Sequence, residues 1–571
     1  MTIDLLIQGG TVVDGTGAPA RVADVAIDGG RIVAVGADAS AESATRTIDA
    51  HGRIVAPGFV DLHTHYDAQL LWDATASPSP LHGVTTVFGG NCGFGLAPAN
   101  ARDTDYLARL MARVEGIPLP AIEAGVTWEW DDFAGYLDQL DARGTAVNAG
   151  FLVGHCALRR MVMGEAATGN AATDDHVDAM ARLLGAALDA GAMGFSSSQA
   201  PTHNDGNGDP VPSRFAAPTE LLDLAAVLGP YEGTQLELII PGCLNGFTDD
   251  EVDLMTDLCL AARSPLNWNV LGVSATGNHE HQLAASTSAA ARGARVVALT
   301  IPQSMRIRLS FLSGFVLDGL PGWREVLGQP VPERMRLLTD PAVRARLDAS
   351  AHSEAAGVLA GLAHWESFTI AEGFTPETRA YEGRTVGEIA TERGGAPFDV
   401  LLDIVLADEL RTGLRPQLPA EDRATWDARA TVWKDPRAIV GASDAGAHLD
   451  MFCMAGYSTF LIGPAVRELE LLTIEEAVHL LTEVPASLYG LTDRGRVEVG
   501  GHADLAIFDP TTVEPGRERT VADLPGGASR IVVDSVGMET VLVAGTAIVV
   551  DGAFTGATPG TIVRRGRDTA G

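Results

Sequence analysis

Short apolar segments at residues 54–63, 84–89, 147–154, 192–197, 234–240, 265–271, 295–301 and 438–444 constrain the fold of this chain more than any other feature. Amphipathic stretches with the period of a helix lie between most of them, among them Asp174 to Ala190, Thr219 to Gly229 and Thr248 to Ala262. Strands that alternate with helices pair in parallel, because a parallel connection needs a long crossover. The pattern predicts an α/β chain folded as a (β/α)8 TIM-like barrel, whose catalytic groups collect at the C-terminal ends of the strands.

The two ends of the chain read differently. Over residues 3–55, runs such as Leu5-Leu6-Ile7 and Val25-Ala26-Ile27 alternate with glycine-rich turns, and the style returns at Leu505-Ala506-Ile507-Phe508 and Val541-Leu542-Val543. One small β-sandwich domain built from residues 1–55 and 481–571 is expected, flanking a barrel over 56–480. The stretch 303–437 is too long for a loop. It is expected to form a helical insertion over the barrel mouth that contributes to substrate selection.

The first barrel strand ends in Asp61-Leu62-His63-Thr64-His65. Alternate side chains of a strand point to one face, so His63 and His65 point together, either as a pair of metal ligands or as solvated or core histidines. Closure of a barrel sets its last strand, ending at Ser443-Asp444, beside the first. A carboxylate at Asp444 can then ligate a metal or take a proton from water, whereas an isolated strand-end Asp serves as a helix N-cap. His155, at the end of the third strand, contacts either the site or only Arg159. His203, in a Gly/Asp-rich loop, and His448, four residues beyond Asp444, are candidate substrate contacts. His279 and His281 form a second His-x-His, but at a helix start that spacing does not converge. Met305, Phe311, Met451, Phe452 and Met454 make either an apolar substrate pocket or the core of the lid.

A net charge of −34 excludes nucleic acid and anionic membranes as expected partners. No apolar run is long enough to span a bilayer, and no secretory signal precedes the first strand. Five scattered cysteines form no disulfide framework and fit a reducing cytoplasm.

Further motifs are Pro57-Gly58-Phe59-Val60-Asp61-Leu62-His63-Thr64-His65, Gly83-Val84-Thr85-Thr86-Val87, Gly90-Asn91-Cys92-Gly93, Gly154-His155-Cys156-Ala157-Leu158-Arg159, Gly191-Ala192-Met193-Gly194-Phe195-Ser196, Ser443-Asp444 and Gly501-His502-Ala503-Asp504-Leu505. In this order they resemble the amidohydrolase superfamily and, within it, the N-acyl-D-amino-acid deacylase (D-aminoacylase-like) branch. The resemblance implies that His63, His65 and Asp444 are metal ligands. It also implies Cys92, which in this branch replaces the bridging carboxylated lysine of related hydrolases. Lys434 is the only lysine and precedes the eighth strand, so no strand carries one.

The chain departs from the branch in two ways. The histidines that the family places after strands five and six are absent, leaving Glu237 as an oxygen ligand candidate and Asn267 and Asn269 as pocket candidates. One zinc is expected, completed by Cys92 or Glu237, with a second metal open. The basic and tyrosine residues that clamp the substrate carboxylate are also absent, and Arg306 or Arg308 are the candidates to replace them. The resulting expectation is a cytoplasmic, metal-dependent amidohydrolase that splits an amide or cyclic amide C–N bond of a small molecule, with a homo-oligomer open to it. Asp444 acts as general base and acid, and His155 or Asn269 assists the oxyanion. The rivals are an ester or lactone hydrolase, a metal-assisted decarboxylase, and a catalytically dead binding subunit.

Overall fold

In the computed structural model, which describes residues 2–40, 43–314, 316–417 and 421–570, the central strands follow one another in chain order. They are β1 (Phe59–Asp61), β2 (Val84–Gly89), β3 (Asn148–Phe151, continued by Val153–Gly154), β4 (Gly194–Ser198), β5 (Gln235–Ile239), β6 (Leu266–Leu271), β7 (Val296–Thr300) and β8 (Ala438–Val440). Each pairs in parallel with the next. The break in β3 lies at Leu152, whose N–H still donates to Gly89 O of β2 (2.9 Å). Beyond the strand ends Asp444 N donates to His63 O (3.1 Å) and His65 N to Ala445 O (2.7 Å), so the pairing returns from β8 to β1. All six residues of β2 are buried, as expected of a parallel strand covered on both faces. Val60, Leu62, Phe88, Leu152, Met193, Leu299 and Ile439 meet in one buried cluster between the strands.

Helices fill the connections. Asp174–Asp189 opens with a capping box between Thr173 and His176, and it buries Met180, Leu184, Ala187 and Leu188 along one face. Asp249–Ala262 opens with the same device, Thr248 with Glu251. The connection from β2 to β3 carries three helices that the hydrophobic pattern had not suggested, Thr104–Val114, Leu119–Gly125 and Phe133–Arg143.

The apolar segment 54–63 is two strands rather than one. Ile54–Pro57 pairs antiparallel with Leu505–Phe508, whereas Phe59–Asp61 is β1. The reason is local: Pro57 has no N–H to donate, and the Gly58 N–H turns away to Asp504 O (2.8 Å). The pairings join both chain ends in one nine-stranded sheet, from Thr2–Val12 to Ala553–Phe554. Asp504, in the Gly501–Leu505 motif, ties that sheet to the central strands. Its carboxylate takes bonds from Asn148 Nδ2 (3.0 Å), Ala544 N (2.8 Å) and the Arg494 guanidinium. The hairpin Glu514–Val521 with Arg530–Val536 stands apart from that sheet.

The segment from 481 begins differently from expectation. Ala486, Leu488 and Tyr489 belong to the cluster between the central strands, so the terminal sheet resumes only near Leu505. Residues 303–437 do carry helices, including Val331–Leu338, Pro341–Ala351, Val386–Arg393 and Pro397–Ala407, around their own core of Trp323, Trp365, Phe398 and Leu401. Among the described residues no helix is long and apolar enough to cross a membrane.

Candidate metal centre

His63 and His65 leave the C-terminal end of β1 side by side, both 1% exposed, with their rings 5.2 Å apart. Cys92 and Asp444 reach the same point from loops after β2 and β8, and both have left-handed backbones (φ 55° and 57°). Strain of this kind gathers at functional sites. His63 Nε2 lies 3.5 Å from Cys92 Sγ and 3.7 Å from Asp444 Oδ1, and His65 Nε2 lies 3.1 Å from the same oxygen. Donors at Zn–N and Zn–S bond lengths around one tetrahedral ion stand roughly 3.3–3.5 Å apart. The observed separations bracket that spacing. His63 Nδ1, His65 Nδ1 and Glu237 Oε1 are buried without a hydrogen-bond partner. A set of nitrogen, sulfur and carboxylate donors with orphaned polar atoms around it fits a bound cation such as zinc.

Glu115, which carries no sequence signal, is a further member. It follows the helix Thr104–Val114, and its carboxylate lies 3.4 Å from His65 Nε2. The donor atoms of His63, His65 and Cys92 lie within 4.8 Å of one another, and so do those of His65, Glu115 and Asp444.

The electrostatics ask for positive charge. Burial pushes Glu115 and Glu237 each up to about 8 and Asp67 up to about 6. Burial alone would lower His65, but the carboxylates of Glu115, Asp444 and Asp67 raise it to about 10. Asp444 is pulled the other way: burial would raise it, yet the hydrogen bond and charge of His65 hold it well below the usual carboxylate range. Burial lowers His63 to about 3, so its imidazole is neutral and free to donate an electron pair to a cation.

The remaining candidates divide. Asn269 Nδ2 donates to Cys92 Sγ (3.5 Å), which suits an anionic sulfur. His203 and His448 line the cavity above the centre, the former with Nδ1 against Ser198 Oγ (2.7 Å). Glu237 stands one layer out: its Oε2 accepts the Cys92 N–H (2.6 Å), and its Oε1 is 3.9 Å from His63 Nδ1. It holds the cysteine turn instead of joining either cluster of donor atoms.

His155 does not face the cavity. It opens the helix His155–Met163, fully buried, with Nδ1 against Ser197 Oγ (2.9 Å) and Nε2 against Glu220 Oε1 (3.0 Å). Both ring nitrogens are engaged, which removes it as an oxyanion donor. Met451 is also displaced, into a buried cluster with Phe452 and Met454, of which only the latter two line the cavity. Arg308 is spent on Glu372 (2.7 Å) and Thr520 (2.5 Å). Lys434 pairs with Glu476 (2.8 Å) on the surface. His279, half-buried, and His281, exposed, lie at the start of the helix His279–Ala291, outside the metal cavity.

Ser196, on β4, pins the cysteine turn from below: its hydroxyl accepts the Gly93 N–H (3.0 Å) and donates to Gly90 O. Ser196→Ala is therefore expected to weaken metal retention roughly tenfold, the lower end for loss of an outer partner. A chelator titration of the metal-loaded protein measures this, and unchanged retention would reduce Ser196 to ordinary packing.

The centre forms one end of a cavity of about 280 Å³. A family model described as "Amidohydrolase family" matches residues 46–549. A D-aminoacylase of Alcaligenes xylosoxydans xylosoxydans is 30% identical, the match covering 98% of each chain. An N-acyl-D-glutamate deacylase of the same organism is 31% identical over 100% of this chain and 98% of its own. The solved structure of N-acyl-D-glutamate deacylase from Bordetella bronchiseptica, in complex with zinc and a phosphonate inhibitor that mimics the tetrahedral intermediate, superposes with a TM-score of 0.63 at 26% identity. That alignment covers 99% of this chain and 100% of the other.

Proposed function

Given that the chain belongs to the amidohydrolase family and is a hydrolase of carbon–nitrogen bonds other than peptide bonds, we propose that it splits the amide bond of a small molecule at the centre formed by His63, His65, Cys92 and Asp444. The observation that carries this reading is that His63 Nε2 stands 3.5 Å from Cys92 Sγ and 3.7 Å from Asp444 Oδ1, with His65 Nε2 3.1 Å from the same oxygen, at the end of a cavity. The parallel strands are read as a (β/α)8 barrel, the sheet of both chain ends as its small β-sandwich domain, and residues 303–437 as its lid.

His63, His65, Cys92 and Asp444 would hold one zinc ion, with Glu115 beside it as a further oxygen donor. Such an ion, when bound, supplies Lewis acidity, which makes water nucleophilic near neutral pH and draws electron density from a carbonyl. Asp444 takes the proton of the attacking water on a carboxylate oxygen and returns it to the leaving nitrogen. The positive charge gathered around it keeps it ionised, and the bond from its own N–H to His63 O holds its backbone in place. Asn269 holds the sulfur of Cys92, and Glu237 holds the backbone of its turn. A cytoplasmic setting and a small-molecule substrate belong to the same proposal.

Elemental analysis with a parallel assay of acetate release from N-acetyl amino acids tests it. About one zinc per chain is expected in the wild type and clearly less in Cys92→Ala. Chelation is expected to abolish turnover and added zinc to restore it. Full activity in protein stripped of metal would overturn the reading.

A further inference from the structure

The metal cavity has a mixed lining. Besides the donors of the centre it holds polar side chains, among them Arg113, Thr202, His203 and Asn204, and apolar ones, among them Ile239, Leu244, Ile301, Met305, Phe452 and Met454. Among the described residues that line the cavity, Arg113 is the single arginine or lysine. It lies in the last turn of the helix Thr104–Val114, two residues before Glu115, so the segment that brings a carboxylate to His65 also brings an arginine to the cavity lining.

We propose that Arg113 is the anion-recognising residue of this enzyme. The cavity then takes an amphipathic substrate with its anionic end on Arg113 and its apolar part against Ile239, Leu244 and Met305. The inference rests on the hydrolytic reading above and assigns specificity within it.

Three observations support the choice. First, the end of the cavity is taken by the donors of the metal centre, so an anionic group of the substrate has to be held along the wall, where Arg113 supplies the positive charge. Second, a guanidinium binds a carboxylate with paired hydrogen bonds, which fixes orientation as well as charge. Third, the other arginines proposed for the task are placed elsewhere. Arg308 is buried against Glu372 and Thr520, and Arg306 lines a separate cavity of about 630 Å³, not this one. Arg113 comes from the connection between β2 and β3, far along the chain from the segments after β6, β7 and β8.

The test compares N-acetyl-leucine with its neutral carboxamide, in both configurations, on metal-loaded wild type, Arg113→Gln and Arg109→Gln. Arg109 lies one turn away on the same helix and faces Asp105 and Asn207 instead of the cavity. The ratio of kcat/KM for acid over carboxamide is expected to fall about ten- to a hundredfold in Arg113→Gln, mostly through KM, and to hold in Arg109→Gln. An unchanged ratio in Arg113→Gln overturns the assignment and leaves the hydrolytic reading standing. If the wild type cleaves neither compound, that reading fails for this substrate class, and calorimetric binding of the acid decides the rest. Equal affinity in wild type and Arg113→Gln would then overturn the role of Arg113 as well.

Discussion

Asp444→Asn is expected to lower kcat by about 10²- to 10⁴-fold, the range for removing a general base, with little change in thermal unfolding. Asparagine keeps the shape of the side chain and one oxygen near His65 Nε2, now 3.1 Å from Oδ1, but it does not accept a proton at neutral pH. The backbone of residue 444 is held independently, by the bond from its N–H to His63 O. Initial rates on an N-acetyl amino acid, with zinc content measured on the same samples, separate loss of the base from loss of the ion. Near-wild-type turnover would remove Asp444 from the role of base. A rate lost only in proportion to lost zinc would make it a ligand alone.

Glu220→Ala should be among the most destabilising single changes in the central domain, costing about 3–5 kcal/mol, as measured when one partner of a buried ion pair is removed. Glu220, 3% exposed, accepts two bonds from Arg159 Nη1 (2.5 and 2.6 Å) and faces His155 Nε2 at 3.0 Å. Arg159 is fully buried, so the alanine leaves its guanidinium without a counter-charge where water does not reach. The unfolding midpoint reads this out. The metal content of the folded fraction should stay at the wild-type level, because this network lies outside the metal cavity. An exposed comparison, Asp105→Ala, removes a surface pair with Arg109 and is expected to move the midpoint barely at all. A small effect of Glu220→Ala would mean that the pocket relaxes to let water reach Arg159.

His155 illustrates where reading the chain goes astray. Its position after the third strand suggests a catalytic role, yet the strand ends at Gly154 and His155 starts the helix, which turns its ring toward Ser197 and Glu220. Glu237 is a milder case. It lies at the end of the site that was expected, but its carboxylate is taken by the Cys92 N–H, which the left-handed turn at Cys92 aims at it. Glu115 and Arg113 were not legible at all, since the connection that carries them has neither a motif nor a strand signal.

The sequence by itself determined the alternation of strands and helices, the return of the second end of the chain to the first, and the pairing of His63 with His65. These follow from periodicity and from the two-residue repeat of a strand, which are local properties. Only the tertiary structure decided that Cys92 and Asp444 meet those histidines at 3.1–3.7 Å, that His155 turns away, and that one helix end brings Arg113 and Glu115 to the cavity. Those outcomes depend on where segments tens to hundreds of residues apart come together once the strands pair, and nothing in the spacing along the chain encodes that distance.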